Sequence, residues 1–231
     1  MKQNIKSTIH KNFTLIEFSN PPANTFTIDF LLQLINALNK IDRNKALIIT
    51  AKGNIFSAGL DLFFIENLST IKFKYLISLF ELFIYKIVSH PFPSYTILNG
   101  HAIAGGFILS SSTDICLSNN MEYKVGLNQK LLDFSLPSLP RSILKFKYNE
   151  NIDFFYSTKK ISAIIKKTNT IKIKENPLKY IINQLKNFDK DLISSKKNNL
   201  NNINSYLKKN GVQHNKDFFN GWFSSKATKS R

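Results

Sequence analysis

The chain has 231 residues, 43% hydrophobic and 13% aromatic, enough for one sizeable core in a single main domain. Its net charge of +17 is uneven: residues 1–136 carry 12 Lys/Arg against 9 Asp/Glu, whereas residues 137–231 carry 20 against 6. No apolar run reaches the ~18 residues of a membrane span, no Cys/His/carboxylate cluster has metal-ligand spacing, and a lone cysteine, Cys116, excludes an intramolecular disulfide.

Met1–Lys11 is basic and polar without an apolar centre, which argues against a secretory leader and for a cytoplasmic chain. Mitochondrial and peroxisomal compartments stay open. Phe13–Phe18 alternates as a strand and stops at Asn20-Pro-Pro22, where ring-locked φ angles and missing N–H groups forbid its continuation. Thr27 is placed to N-cap a helix whose apolar residues Phe30, Leu31, Leu34, Ile35 and Leu38 recur at helical spacing. Ala46–Thr50 reads as a buried strand and residues 51–62 as a loop turning into a helix. A long helix is predicted over Ile71–Ser89, ended by His90-Pro-Phe-Pro93. Tyr95–Leu98 is a strand feeding the glycine turn Asn99–Gly106, then a helix of small residues, then a strand over Asp114–Ser118. Strands alternating with helices argue a parallel α/β arrangement.

Two segments carry chemistry. In each, glycines and small residues follow a strand and open a helix, where free backbone N–H groups can hold negative charge. They are Phe56-Ser-Ala-Gly-Leu-Asp-Leu62 and Asn99-Gly-His-Ala-Ile-Ala-Gly-Gly-Phe-Ile-Leu-Ser-Ser-Ser-Thr-Asp114. Taken singly, each is as readily a tight turn that lets a helix pack closely. As a pair, in this order and spacing, they resemble the signature of the enoyl-CoA hydratase/isomerase family, the crotonase superfamily. The resemblance runs from about Phe13 to Pro140.

That resemblance implies a spiral of strand-strand-helix repeats with C-terminal helices: an α/β core over residues 1–175, then a helical cover and oligomerisation region over 176–231. It implies an acyl-CoA thioester substrate, coenzyme A entering as part of the substrate with no bound cofactor, and a homotrimer or hexamer. Matched residue by residue, the Ala58 and Gly105 N–H groups would form an oxyanion hole, and Ala23, Asn24, Ser57, Gly59, Leu60, Asp61 and Gly106 would line the coenzyme A groove. Val125–Pro137 is most similar to Δ3,Δ2-enoyl-CoA isomerases, except that Gln129 stands where they have the proton-shuttling glutamate. Ile108 occupies the place of the hydratases' second glutamate. An amide has no proton to exchange near neutrality, so neither pathway has its usual base.

Asp133, four residues after Gln129, is the one substitute carboxylate that shares a face with it, though a surface position is the plainer reading. Asp61 and Asp114 read as helix or turn caps, and His101 as structural. A catalytically inactive coenzyme A binder therefore stands beside the enzyme reading. The lysines of the second part read first as a solvated face; RNA association ranks below that. In the tail, Leu178, Ile181, Ile182 and Leu185 form a helical stripe, Ser195–Asn204 reads as a connector or exposed helix end, and Phe218–Phe223 as an aromatic cluster docking the last helix.

Overall fold

The computed structural model describes residues 4–128, 136–148, 155–186 and 190–229. The expected candidates Gln129 and Asp133 lie outside the described residues. In chain order the elements are β1 (Ile5–Ile9), β2 (Phe13–Phe18), α1 (Ile28–Asn39), β3 (Ala46–Ala51), β4 (Ile55–Ser57), α2 (Leu62–Glu66) and α3 (Thr70–Val88). Then follow β5 (Ser94–Ile97), β6 (His101–Ile103), α4 (Gly105–Ser112), β7 (Ile115–Ser118), β8 (Lys124–Gly126) and α5 (Ser138–Tyr148). The last are β9 (Lys159–Lys160), α6 (Ile161–Ile164), β10 (Thr170–Lys172), α7 (Pro177–Lys186) and α8 (Lys190–Lys229).

Six strands form one sheet in the order β1-β2-β3-β5-β7-β10, parallel from β2 onward, with β1 antiparallel at the edge. A second sheet has the order β4-β6-β8-β9, with β4, β6 and β8 following β3, β5 and β7 in the chain. The two-residue period of a strand decides which core each side chain joins. Along β3, Leu47 and Ile49 enter the main core with α1 and α3, while Ala46 and Ile48 enter a smaller one. The smaller core also holds Phe13, Tyr95, Leu117 and Ile181. A parallel strand covered on both faces has no polar side, which is why 46–51 is apolar almost throughout.

Helix starts follow their caps. Thr27 Oγ1 accepts from Phe30 N, Asp61 Oδ1 from Phe64 N and Ser69 Oγ from Lys72 N. Asp114 instead ties the turn before β7 to β5: its Oδ2 accepts from Ser94 N and Ser94 Oγ, each at 2.8 Å.

The structure corrects three expectations. Ile5–Ile9, read as polar terminus, is an edge strand paired to β2. Ser195–Asn204 is no connector: α8 runs unbroken through it, with Ile203 buried in the main core. In α7, Ile181 is buried and Leu178 and Leu185 pack beside it, but Ile182 is exposed. No helix among the described residues is long and apolar enough to cross a membrane.

Candidate active site

Two strand-to-helix turns meet at the ends of β4 and β6. In the first, Ser57 is fully buried; its hydroxyl donates to Asn24 O at 2.7 Å and accepts from Gly59 N at 3.0 Å. Gly59 sits at φ +88°, a left-handed conformation that glycine takes without strain. Its Cα hydrogen faces α4 so closely that a Cβ there would lie 2.5 Å from Gly105 N. In the second turn Ala104, at φ 49°, swings the chain from β6 into α4. Gly106 packs on Ser57, where a Cβ would collide with the Ser57 carbonyl. Each glycine is thus where two backbones touch.

Amide bookkeeping decides which N–H groups can face a ligand. In the first turn Ala58 N donates to Ala23 O at 3.0 Å, Gly59 N to Ser57 Oγ, and Asp61 N to Phe26 O at 3.4 Å. Leu60 N and Gly105 N have no acceptor among the described residues. Ala58, expected as a donor, is therefore already committed, and the available amide is two residues on. Gly105 also sits at the N-terminus of α4, where peptide dipoles place partial positive charge.

Several expected ligand contacts are framework. Asn24 is buried at φ 51°; its Oδ1 accepts from Asn20 N and its Nδ2 donates to Lys52 O and Ile55 O. Ala23 O receives Ala58 N. Asp61 caps α2 and accepts from Thr25 Oγ1 through its other oxygen. His101 Nδ1 accepts from Lys124 N at 2.8 Å. These side chains hold the turns in shape.

Leu60, Ala104 and Gly105 line a cavity of about 150 Å³. Its walls come from Leu62 and Ile65 on α2, Phe73 and Phe80 on α3, Ile108 on α4, Leu127 and Asn128 after β8, Leu136 and Pro137 before α5, and Phe218 and Trp222 on α8. Asn128 supplies the polar side chain among these described lining residues; none of them carries a carboxylate or an imidazole.

Two supports escaped sequence reading. Glu81, one residue beyond Phe80, accepts from Leu139 N at 2.9 Å and so caps α5 from outside; burial pushes its carboxyl pKa up, against these hydrogen bonds. At the far end of α4, the Lys147 ammonium donates to the Ser111 and Thr113 carbonyls, and burial lowers its pKa to about 8. Neither has a sequence signal, because each depends on an element packed from far along the chain. Among the described residues no group of three or more His, Cys, Asp or Glu could hold a metal ion.

Sheet order, paired glycine turns and the apolar cavity between them define a protein of the crotonase class. The chain belongs to the enoyl-CoA hydratase/isomerase family, whose pattern matches residues 8–134. It is similar to the mitochondrial enoyl-CoA delta isomerase 1 of Rattus norvegicus, 30% identical over 129 residues, covering 53% of this chain and 44% of that one. The human counterpart is 30% identical over 129 residues, 53% of this chain and 42% of that one. The chain thus matches about half the length of these curated relatives. In fold it is similar to human mitochondrial delta3-delta2-enoyl-CoA isomerase, with TM-score 0.82, 16% identity, and coverage of 99% of this chain and 93% of that one. An enoyl-CoA hydratase from Bacillus halodurans gives TM-score 0.82 at 14% identity, with 98% of both chains covered.

Proposed function

We infer that the protein binds an acyl-CoA thioester with its carbonyl oxygen against the Leu60 and Gly105 amides and its acyl chain in the apolar cavity. The observation that carries this reading is the coincidence with one cavity of two amides that have no acceptor among the described residues. Such donors stabilise the charge on an enolate oxygen more than that on the ground-state carbonyl, and removal of one costs about 3 kcal/mol of barrier lowering. The chemistry that fits is isomerase- or hydratase-like, in fatty acid or other acyl-chain metabolism. Ala58 supports the hole by fixing the turn through Ala23.

Without an ionisable side chain among the described lining residues, an acyl-CoA binder that has lost turnover is the second reading. The two separate cleanly: turnover of 3-enoyl-CoA to 2-enoyl-CoA by the purified chain supports the enzyme. Thioester binding with no turnover, in the protein and in Gln129→Glu, supports the binder. Failure to bind any coenzyme A thioester refutes both. The exposed apolar row Ile71, Tyr75, Leu82 and Tyr85 along α3 supports self-association as a homotrimer or hexamer, which sedimentation would size.

A further inference from the structure

The cavity that holds the two amides is bounded on one side by aromatic rings of α3 and α8. Phe73, on α3, is 2% exposed and meets Trp222 of α8 ring to ring, with centroids 4.6 Å apart and planes 19° apart. Phe218 stacks on the same ring at 6.1 Å, and Phe219 and Phe223 meet it edge-on at 6.0 and 6.2 Å. Phe73, Phe218 and Trp222 all line the cavity. A side chain held by four rings on its flanks yields little, since interiors are packed as densely as organic crystals. The space beside it therefore ends on that side at a firm aromatic wall.

The cavity measures about 150 Å³, and its lining among the described residues is almost wholly apolar. Apolar cavities of this size stay dry and accept a benzene-sized guest, about six carbon atoms. Resting on the acyl-CoA reading above, we propose that the protein is selective for short acyl groups, up to about six carbons, and that Phe73, Phe218 and Trp222 set that limit. The thioester carbonyl is fixed at the amide end, so each further methylene consumes depth until it meets the aromatic wall. A longer chain has to displace Trp222 or stay outside in water.

The test is calorimetric titration of the full chain with coenzyme A and with its acetyl, butanoyl, hexanoyl, octanoyl and dodecanoyl thioesters. Each methylene entering the cavity is worth roughly fourfold in affinity, so hexanoyl-CoA is expected to bind about 16-fold tighter than butanoyl-CoA. Octanoyl- and dodecanoyl-CoA are expected to bind no tighter than hexanoyl-CoA. In Trp222→Leu, checked for an unchanged helical spectrum, the plateau moves out to octanoyl-CoA. The unmodified series decides the matter even if that variant does not fold. Affinity that keeps rising through dodecanoyl-CoA overturns the limit, and so does equal affinity for coenzyme A and hexanoyl-CoA. Loss of the acyl-CoA reading looks different: coenzyme A and every thioester then fail to bind.

Discussion

Two glycines with the same backbone twist separate strain from collision. Gly53 has φ +90° and open space where a Cβ would go; Gly59 has φ +88°, but its Cβ would lie 2.5 Å from Gly105 N and 2.9 Å from the Ala104 Cβ. Alanine at either position pays roughly 1–2 kcal/mol for the left-handed conformation, part of it offset by a less flexible unfolded chain. Gly53→Ala should therefore cost about 1 kcal/mol, a loss of about 2–4 °C for a chain of this size. Gly59→Ala pays the same and must also drive the start of α4 away from β4, an overpacking cost of about 1–3 kcal/mol more. The displaced group is the Gly105 amide itself. Urea denaturation gives the stability difference, and calorimetry with a saturated thioester gives the functional one. Gly53→Ala should bind as the unmodified chain does, whereas Gly59→Ala should lose the preference for thioester over free coenzyme A. Equal destabilisation of the two variants, or unaltered thioester preference in Gly59→Ala, would refute the account of the paired turns.

Three further outcomes follow from the buried groups. His90 donates from Nε2 to Lys45 O, and burial lowers its pKa from 6.5 to about 4. Between those values only the unfolded chain takes up the proton, so stability falls as pH drops from 6.5 to 4, by about 3 kcal/mol in all; pH-dependent melting should show it, and His90→Asn should flatten it. Lys147 has the opposite window: with a folded pKa of about 8 against 10.5, stability should rise from pH 8 to 10.5 by about 3 kcal/mol. Lys147→Met should abolish that rise. Lys196 is 9% exposed and pairs with Asp114 at 2.7 Å, so Lys196→Met strands a largely buried carboxylate and should cost about 3 kcal/mol in urea denaturation. A loss below 1 kcal/mol would mean that the Ser94 hydrogen bonds suffice for Asp114.

Elements with a strong apolar period and a visible boundary were legible in the sequence: α1 behind Thr27, α3 closed by His90-Pro-Phe-Pro93, and β3 with its apolar run. The strands of the second sheet were not, since β4, β6 and β8 have three residues each, too short for a period of two to register. β1 hid because only Ile5 of its five residues is buried, and the exposed Lys6 and Ser7 look like terminus. The unbroken α8 was missed by weighing asparagine and lysine content above the helical spacing of Leu200, Ile203 and Leu207. At the site, motif matching located both turns but not the available amide. Ser57-Ala-Gly-Leu-Asp61 offers several N–H groups in a row, and which of them stays unpaired depends on the twist at Gly59 and on Ala23 approaching from another loop. Residue types do not encode that choice directly; packing does.

The longest helix carries Lys196 on Asp114 and Trp222 on Phe73, about 39 Å apart along its axis. Between them Ile203 is buried in the main core and Asn215 Oδ1 accepts from Ser138 N at 2.9 Å, so the helix is held along its length. The aromatic wall of the cavity and the counter-ion of Asp114 thus stand on one continuous helix.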